Sequence, residues 1–141
     1  MLKRHLFILL CFFVLFSCAG CNAEPTFLDK IDSFDWTEWE NNEFEQKYIE
    51  EYRKKNICYG PIDTAEQAVE IAQKHWFTRF SRTDIRKQRP YLVSYDEKNR
   101  VWNVSGNPDW IYDKNGAPST AGTATIFLSQ DEGRVLLCYH T

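Results

Sequence analysis

The chain has 141 residues and a formal net charge of −3. That length suits one domain, and aromatics, at 16 %, are enough to fill a modest core. The charge is uneven, −8 over residues 22–70 and +3 over residues 71–141, which argues against nucleic acid as a partner and is compatible with a basic protein.

The first residues stand apart from that core. Lys3 and Arg4 form a short basic region, and residues 6–16 are an unbroken apolar run. A transmembrane helix needs roughly 20 such residues; this run has the length of a signal-peptide core. Ser17-Cys18-Ala19-Gly20-Cys21 follows. Small residues ending in cysteine resemble the lipobox of bacterial lipoproteins, whose cysteine takes a diacylglycerol and becomes the mature N-terminus. Ala19 and Gly20 favour Cys21, although Cys18 stands where leucine is usual. Leu15 makes Cys18 the alternative, with Phe16 fitting poorly. An ordinary secretory signal cleaved nearby is the plainer reading. Either way the domain is expected to be exported, and on the lipoprotein reading it faces the periplasm or cell surface from a membrane anchor. The expected division is a signal over residues 1–20, a tether over 21–33 and one domain over 34–141.

Export changes how the other cysteines read. Without Cys11 and Cys18, and with Cys21 lipidated, only Cys58 and Cys138 remain. Two cysteines in an oxidising compartment are a candidate disulfide. Its long loop would give on the order of 4–5 kcal/mol in the chain-entropy model. Two buried free thiols are the alternative.

Residues 34–45 are rich in tryptophan and acid. From about Glu43 the spacing of Phe44, Tyr48, Ile49 and Tyr52 predicts a helix, with Lys54 and Lys55 near its C-terminal end and Gly60-Pro61 to stop it. A second helix starts at Asp63 or Thr64, either of which gives a capping-box pattern with Glu66 or Gln67. Ala65, Ala68, Val69, Ala72, Trp76 and Phe80 form its apolar stripe. The basic stretch from Arg79 to Arg89 reads as a solvated connector.

Residues 90–106 read as a hairpin turning at Asp96-Glu97-Lys98-Asn99. Alternation puts Trp102 and Val104 on one face and Val101, Asn103 and Ser105 on the other. Residues 107–122 read as a long loop carrying Trp110, Ile111 and Tyr112 between Asp109 and Asp113. Residues 123–129 form a strand, Asp131-Glu132-Gly133 turns it, and residues 134–140 return. Val135, Leu136 and Leu137 are apolar on both faces, as in a central strand. Helices first and hairpins after give an α+β class, with helices packed on one side of a curved antiparallel sheet.

No residue set looks like chemistry. His75 sits at the edge of an apolar stripe, as a partly buried core histidine does. No Cys or His spacing suits zinc, no Gly-x-Ser-x-Gly is present, and no glycine-rich loop cradles phosphate. Asp109 and Asp113 have no general acid beside them to make a glycosidase pair. No cofactor is implied.

From Thr64 to His140 the chain resembles the YbbC/YhhH-type immunity proteins. The shared features are Thr64-Ala-Glu-Gln-Ala-Val-Glu-Ile-Ala, Arg89-Pro90-Tyr91 leading into a strand, Val101-Trp102-Asn103-Val104-Ser105-Gly106, Ala121-Gly122, Asp131-Glu132-Gly133-Arg134-Val135-Leu136 and a closing His140. Ala121-Gly122 stands where that family favours Gly-Gly, and the insertion over residues 107–119 is longer than usual. The resemblance implies a cone-like, nuclear-transport-factor-2-like (cystatin-like) fold. It also implies a non-catalytic role, binding and neutralising a polymorphic or Rhs-type toxin. A small-molecule-binding or hydrolytic domain that uses the cone as a pocket is the alternative. The toxin-binding candidates are Asp109, Trp110, Tyr112 and Asp113, because aromatics on a long loop suit interface anchors. The competing reading of Trp110 is a lid over the open end of the cone.

Overall fold

The computed structural model describes residues 25–29, 34–108, 115–117 and 122–141. Strand β1 (Phe27–Asp29) is followed by four helices, α1 (Trp36–Glu40), α2 (Glu43–Lys55), α3 (Ala65–Trp76) and α4 (Arg82–Lys87). Four strands close the chain: β2 (Tyr91–Asp96), β3 (Val101–Ser105), β4 (Ala124–Ser129) and β5 (Val135–His140). The sheet runs β1-β2-β3-β4-β5. Its pairings are antiparallel except β1 with β2, which is parallel. The α+β class and the two C-terminal hairpins are as expected from sequence.

Local chemistry explains the helices. Thr64 caps α3, accepting from the Gln67 amide at 3.2 Å while the Gln67 side chain reaches back to the Thr64 amide. The capping box is therefore the Thr64–Gln67 one. Ala68, Val69, Ala72 and Trp76 of α3 are buried, and the ring of Trp76 meets that of Tyr91 on β2 at 5.4 Å. Asn42 caps α2, whose other end stops at Asn56 in a left-handed conformation, before Gly60-Pro61 is reached. Ile49 and Tyr52 are the buried residues of α2. Phe44 and Tyr48, expected beside them, are 83 % and 49 % exposed. The spacing identifies a helix, but the sheet takes the flank that holds Ile49 and Tyr52.

Four further expectations change. Three residues of the expected tether, Phe27–Asp29, are a sheet strand held by backbone pairing to β2. The connector contains α4, capped by Ser81 and seated by Ile85, which is fully buried and whose carbonyl accepts from Tyr91 Oη at 3.1 Å. Strand β5 is an edge rather than central; α2 packs against it, which is how its apolar residues are covered on both sides. Cys58 and Cys138 are free thiols, the first exposed and the second buried. Cys58 bridges to Arg134, and Cys138 lies four residues further along β5. At about 3.3 Å per residue that offset is about 13 Å, beyond the roughly 7 Å that a disulfide tolerates between Cα atoms.

Gln88, which ends α4, ties the helical half to the strands. It is fully buried, and its Oε1 accepts from the Ala124 amide at 2.8 Å. Its carbonyl accepts from the Asn107 amide at 2.9 Å, and its Nε2 lies 3.2 Å from His140 Nε2. A Cβ at position 106 would meet Gln88 Oε1 at 2.1 Å, so any side chain there would displace Gln88 from its hydrogen bonds.

Asp96, at the end of β2, performs a similar tie on the other face. Its Oδ2 accepts from the Trp36 amide at 2.8 Å and from Asn99 Nδ2 at 2.7 Å, and its Oδ1 from the Asn99 amide at 3.1 Å. Burial pushes this carboxyl up, but the hydrogen bonds from Trp36 and Asn99 outweigh it and hold it below the ordinary aspartate value. Asp96→Ala leaves the buried Trp36 amide without its acceptor, and is expected to cost about 2–3 kcal/mol in urea unfolding near neutral pH. A folded value below the unfolded one means that the contribution is complete above about pH 4 and is lost as pH falls through the folded value. The gap between wild type and variant should therefore narrow in acid.

Candidate functional site

The two faces of the sheet differ. Toward α3 lie Tyr91, Val93, Val104, Ile126 and Leu128, all buried. Trp102 is half-buried there, its Nε1 donating to the Ile62 carbonyl at 3.2 Å. Trp76 packs on Tyr91 on this side, and both are fully buried.

The opposite face carries a groove. Phe127 of β4 lines one wall, packed by Phe34 at 5.7 Å, Trp36 at 5.1 Å and Trp39 at 4.8 Å between ring centres. Alternation along the strands brings Asn103, Ser105 and Thr125 to the same side, and Tyr139 stacks on Trp39 at 6.3 Å. The groove holds about 360 Å³, its rim reaching Pro108 and Thr123. Its floor is polar but uncharged. Helix α1 overhangs it because Asp35 caps the helix, accepting from the Thr37 amide at 2.8 Å, while Asp96 holds the Trp36 amide. Lys98 and Asn99, in the β2–β3 turn, both bond to Asp35.

A second hollow, of about 280 Å³, lies where α1 meets α2, lined by Glu38, Trp39, Asn42 and Glu45. Trp39 is thus common to both depressions. Phe44 and Tyr48 are exposed on α2, the helix whose Glu45 lines this hollow. The polar floor of the groove was present in the alternation of β3; nothing in the spacing foretold the aromatic overhang or the exposed face of α2.

His75 is buried as expected of a core histidine, 2 % exposed. Its Nδ1 shares a hydrogen bond of 2.9 Å with Tyr59 Oη. Burial, then Arg79 and Lys55, hold the imidazole neutral with a pKa of about 4. No carboxylate bonds to it among the described residues, so the acid–histidine pair that an enzymatic reading needs does not form here. Tyr52 beside it is pushed up to about 12, first by burial and then by Cys138. Burial likewise raises the Cys138 thiol to about 11. These groups keep their protons and serve packing. Among the described residues, no cluster of three or more His, Cys, Asp or Glu could hold a metal.

The candidates Asp109, Trp110, Tyr112 and Asp113 lie outside the described residues, as do Cys18 and Cys21. Among the described residues no helix is long and apolar enough to cross a membrane.

A family model described as NTF2 fold immunity protein matches residues 67–141, a little over half of the chain. The chain belongs to the NTF2-fold immunity protein family. Its α3, α4 and four C-terminal strands lie in or across the matched region; β1, α1 and α2 precede it. Membership supports immunity as the role of the protein and implies a toxin as its partner. The narrower YbbC/YhhH type is not what the model names. No match was found among curated proteins, and none among solved structures.

His75 gives a pH test of the fold. A histidine whose folded pKa lies below its unfolded value of about 6.5 stabilises fully above that value and loses its contribution as pH falls toward about 4. Urea midpoints of the wild-type domain should fall over this window. His75→Gln should flatten that part of the curve, whatever it costs at pH 7.

Proposed function

We propose that this protein is an exported immunity lipoprotein, of the YbbC/YhhH type, that binds and neutralises a cognate toxin of a polymorphic or Rhs-type system. Family membership supports the immunity part of this reading. The buried, neutral imidazole of His75, with no carboxylate bonded to it among the described residues, supports binding over catalysis. The anchor is the lipid on Cys21, with Cys18 as the alternative, and it fixes the domain to a bacterial membrane. Loop residues Trp110 and Tyr112, flanked by Asp109 and Asp113, are proposed toxin contacts; Pro108 and Thr123, before and after them in sequence, line the groove.

The groove favours one further reading. About 360 Å³ with aromatic walls and an uncharged polar floor suits a small neutral ligand. Such a ligand would make the protein a small-molecule-binding relative of the family.

The deciding experiment is protection. Toxic domains encoded beside this gene are expressed in a sensitive host, alone and with the full chain. Growth should return with the chain present. Trp110→Ala should weaken affinity by about 2 kcal/mol without lowering the melting temperature. A lower melting temperature with protection intact would make Trp110 a structural lid. Failure to protect against every neighbouring toxic domain overturns the proposal.

The anchor has its own readout. Metabolic labelling with a palmitate analogue should mark the wild type, and Cys21→Ala should lose most of the label. Undiminished labelling of that variant moves the site to Cys18.

A further inference from the structure

We propose that the hollow between α1 and α2 receives a lysine or arginine side chain of the toxin, with Phe44 and Tyr48 packing beside it as apolar anchors. The inference rests on the toxin-binding reading and says where a part of that contact lies.

Charge comes first. Five carboxylates and no cation occupy the chain from Asp35 to Glu45. Asp35 pairs with Lys98, and Glu40 with Arg53. Glu38, Glu43 and Glu45 form no ion pair among the described residues. Two of these three, Glu38 and Glu45, line the hollow. A cation entering it meets both carboxylates and the indole of Trp39. Trp39 is already held by Phe127 at 4.8 Å and Tyr139 at 6.3 Å, so no side-chain freedom is lost in placing the ring. A cation near an indole gains further attraction.

The aromatics come second. Single exposed apolar residues are ordinary. Phe44 at 83 % and Tyr48 at 49 %, one turn apart on one helix, form a stripe that contacts water. The helix beneath them is rigid, capped by Asn42, ended by Asn56, and fixed to the core through Ile49 and Tyr52. A preorganised aromatic stripe on a helix that also lines an acidic hollow has the makings of an interface anchor with its polar rim.

Charge also selects the occupant. A second copy docked symmetrically through this same face would bring carboxylates against carboxylates, and an anionic bilayer would be repelled by the same groups. A basic protein surface is attracted. The segment precedes residue 67, where the family match begins. It therefore lies outside the matched residues, and the proposed contact does not rest on them.

The test uses the full chain purified in detergent and the purified toxic domain from the protection assay. Phe44→Ala should raise Kd at least tenfold. Glu38→Lys should do the same, mainly through a slower association rate with a flatter salt dependence. Glu97→Lys, the same charge change in the β2–β3 turn, should leave Kd within twofold. Melting temperatures should match the wild type throughout, since Phe44 and Glu38 are exposed. Wild-type Kd in both Phe44→Ala and Glu38→Lys overturns this site and leaves the toxin-binding reading standing. If the wild-type chain does not bind the toxic domain at all, that reading falls and this one with it. A wild-type dimer that Phe44→Ala dissolves gives the face to a second copy. Retention on phosphatidylglycerol vesicles that Phe44→Ala abolishes gives it to the membrane. Either result overturns the proposal.

Discussion

The buried carboxylate of Asp96 is the constraint on which the second face of the sheet depends. It is the acceptor for the first amide of α1 and for both nitrogens of Asn99. Helix α1 has five residues, too few to hold itself in water. Bound to Asp96 it carries Trp36 and Trp39 onto Phe127. The groove and the corner hollow both exist because that overhang is fixed. The opposite face needs no such device, because α3 presents a continuous apolar stripe and Trp76 seats on Tyr91.

Polar groups also join the halves of the domain. Gln88 is a fully buried amide whose side chain serves the Ala124 amide and His140, and whose carbonyl serves Asn107. Leaving any of these unpaired would cost about 1–3 kcal/mol. Two features that resemble the immunity proteins in sequence, Gly106 and the closing histidine, meet at this one side chain. Gly106 is the absence of a side chain that Gln88 requires. The histidine is its partner across β5.

What was legible in the sequence was what local chemistry dictates. The Thr64 cap, the α3 stripe and the facing of Trp102 and Val104 each depend on residues a few positions apart. What was not legible depends on distant partners. Strand β1 has three residues and is held by backbone pairing to β2, which leaves no side-chain period to read. Helix α4 shows one buried residue, Ile85, among charged neighbours. The spacing of Phe44, Tyr48, Ile49 and Tyr52 marks a helix, but only the position of β5 decides which flank is covered. Two cysteines in an exported chain suggest a bond, but the offset of four residues along β5 keeps Cys58 and Cys138 apart. The family resemblance reached the fold and the immunity role; it could not reach α1 and α2, which precede the matched residues.

The parallel strand at the edge has a consequence for posture. Six residue-to-residue steps lead from Cys21 to Phe27. At no more than about 3.6 Å each they reach roughly 20 Å. A lipid on Cys21, as proposed, would keep β1 within that distance of the bilayer. Strand β5 and α2 lie at the other edge, four strand spacings of about 4.8 Å away. The exposed stripe of α2 is thus on the helix that packs against the edge strand farthest from the chain's point of attachment under that proposal.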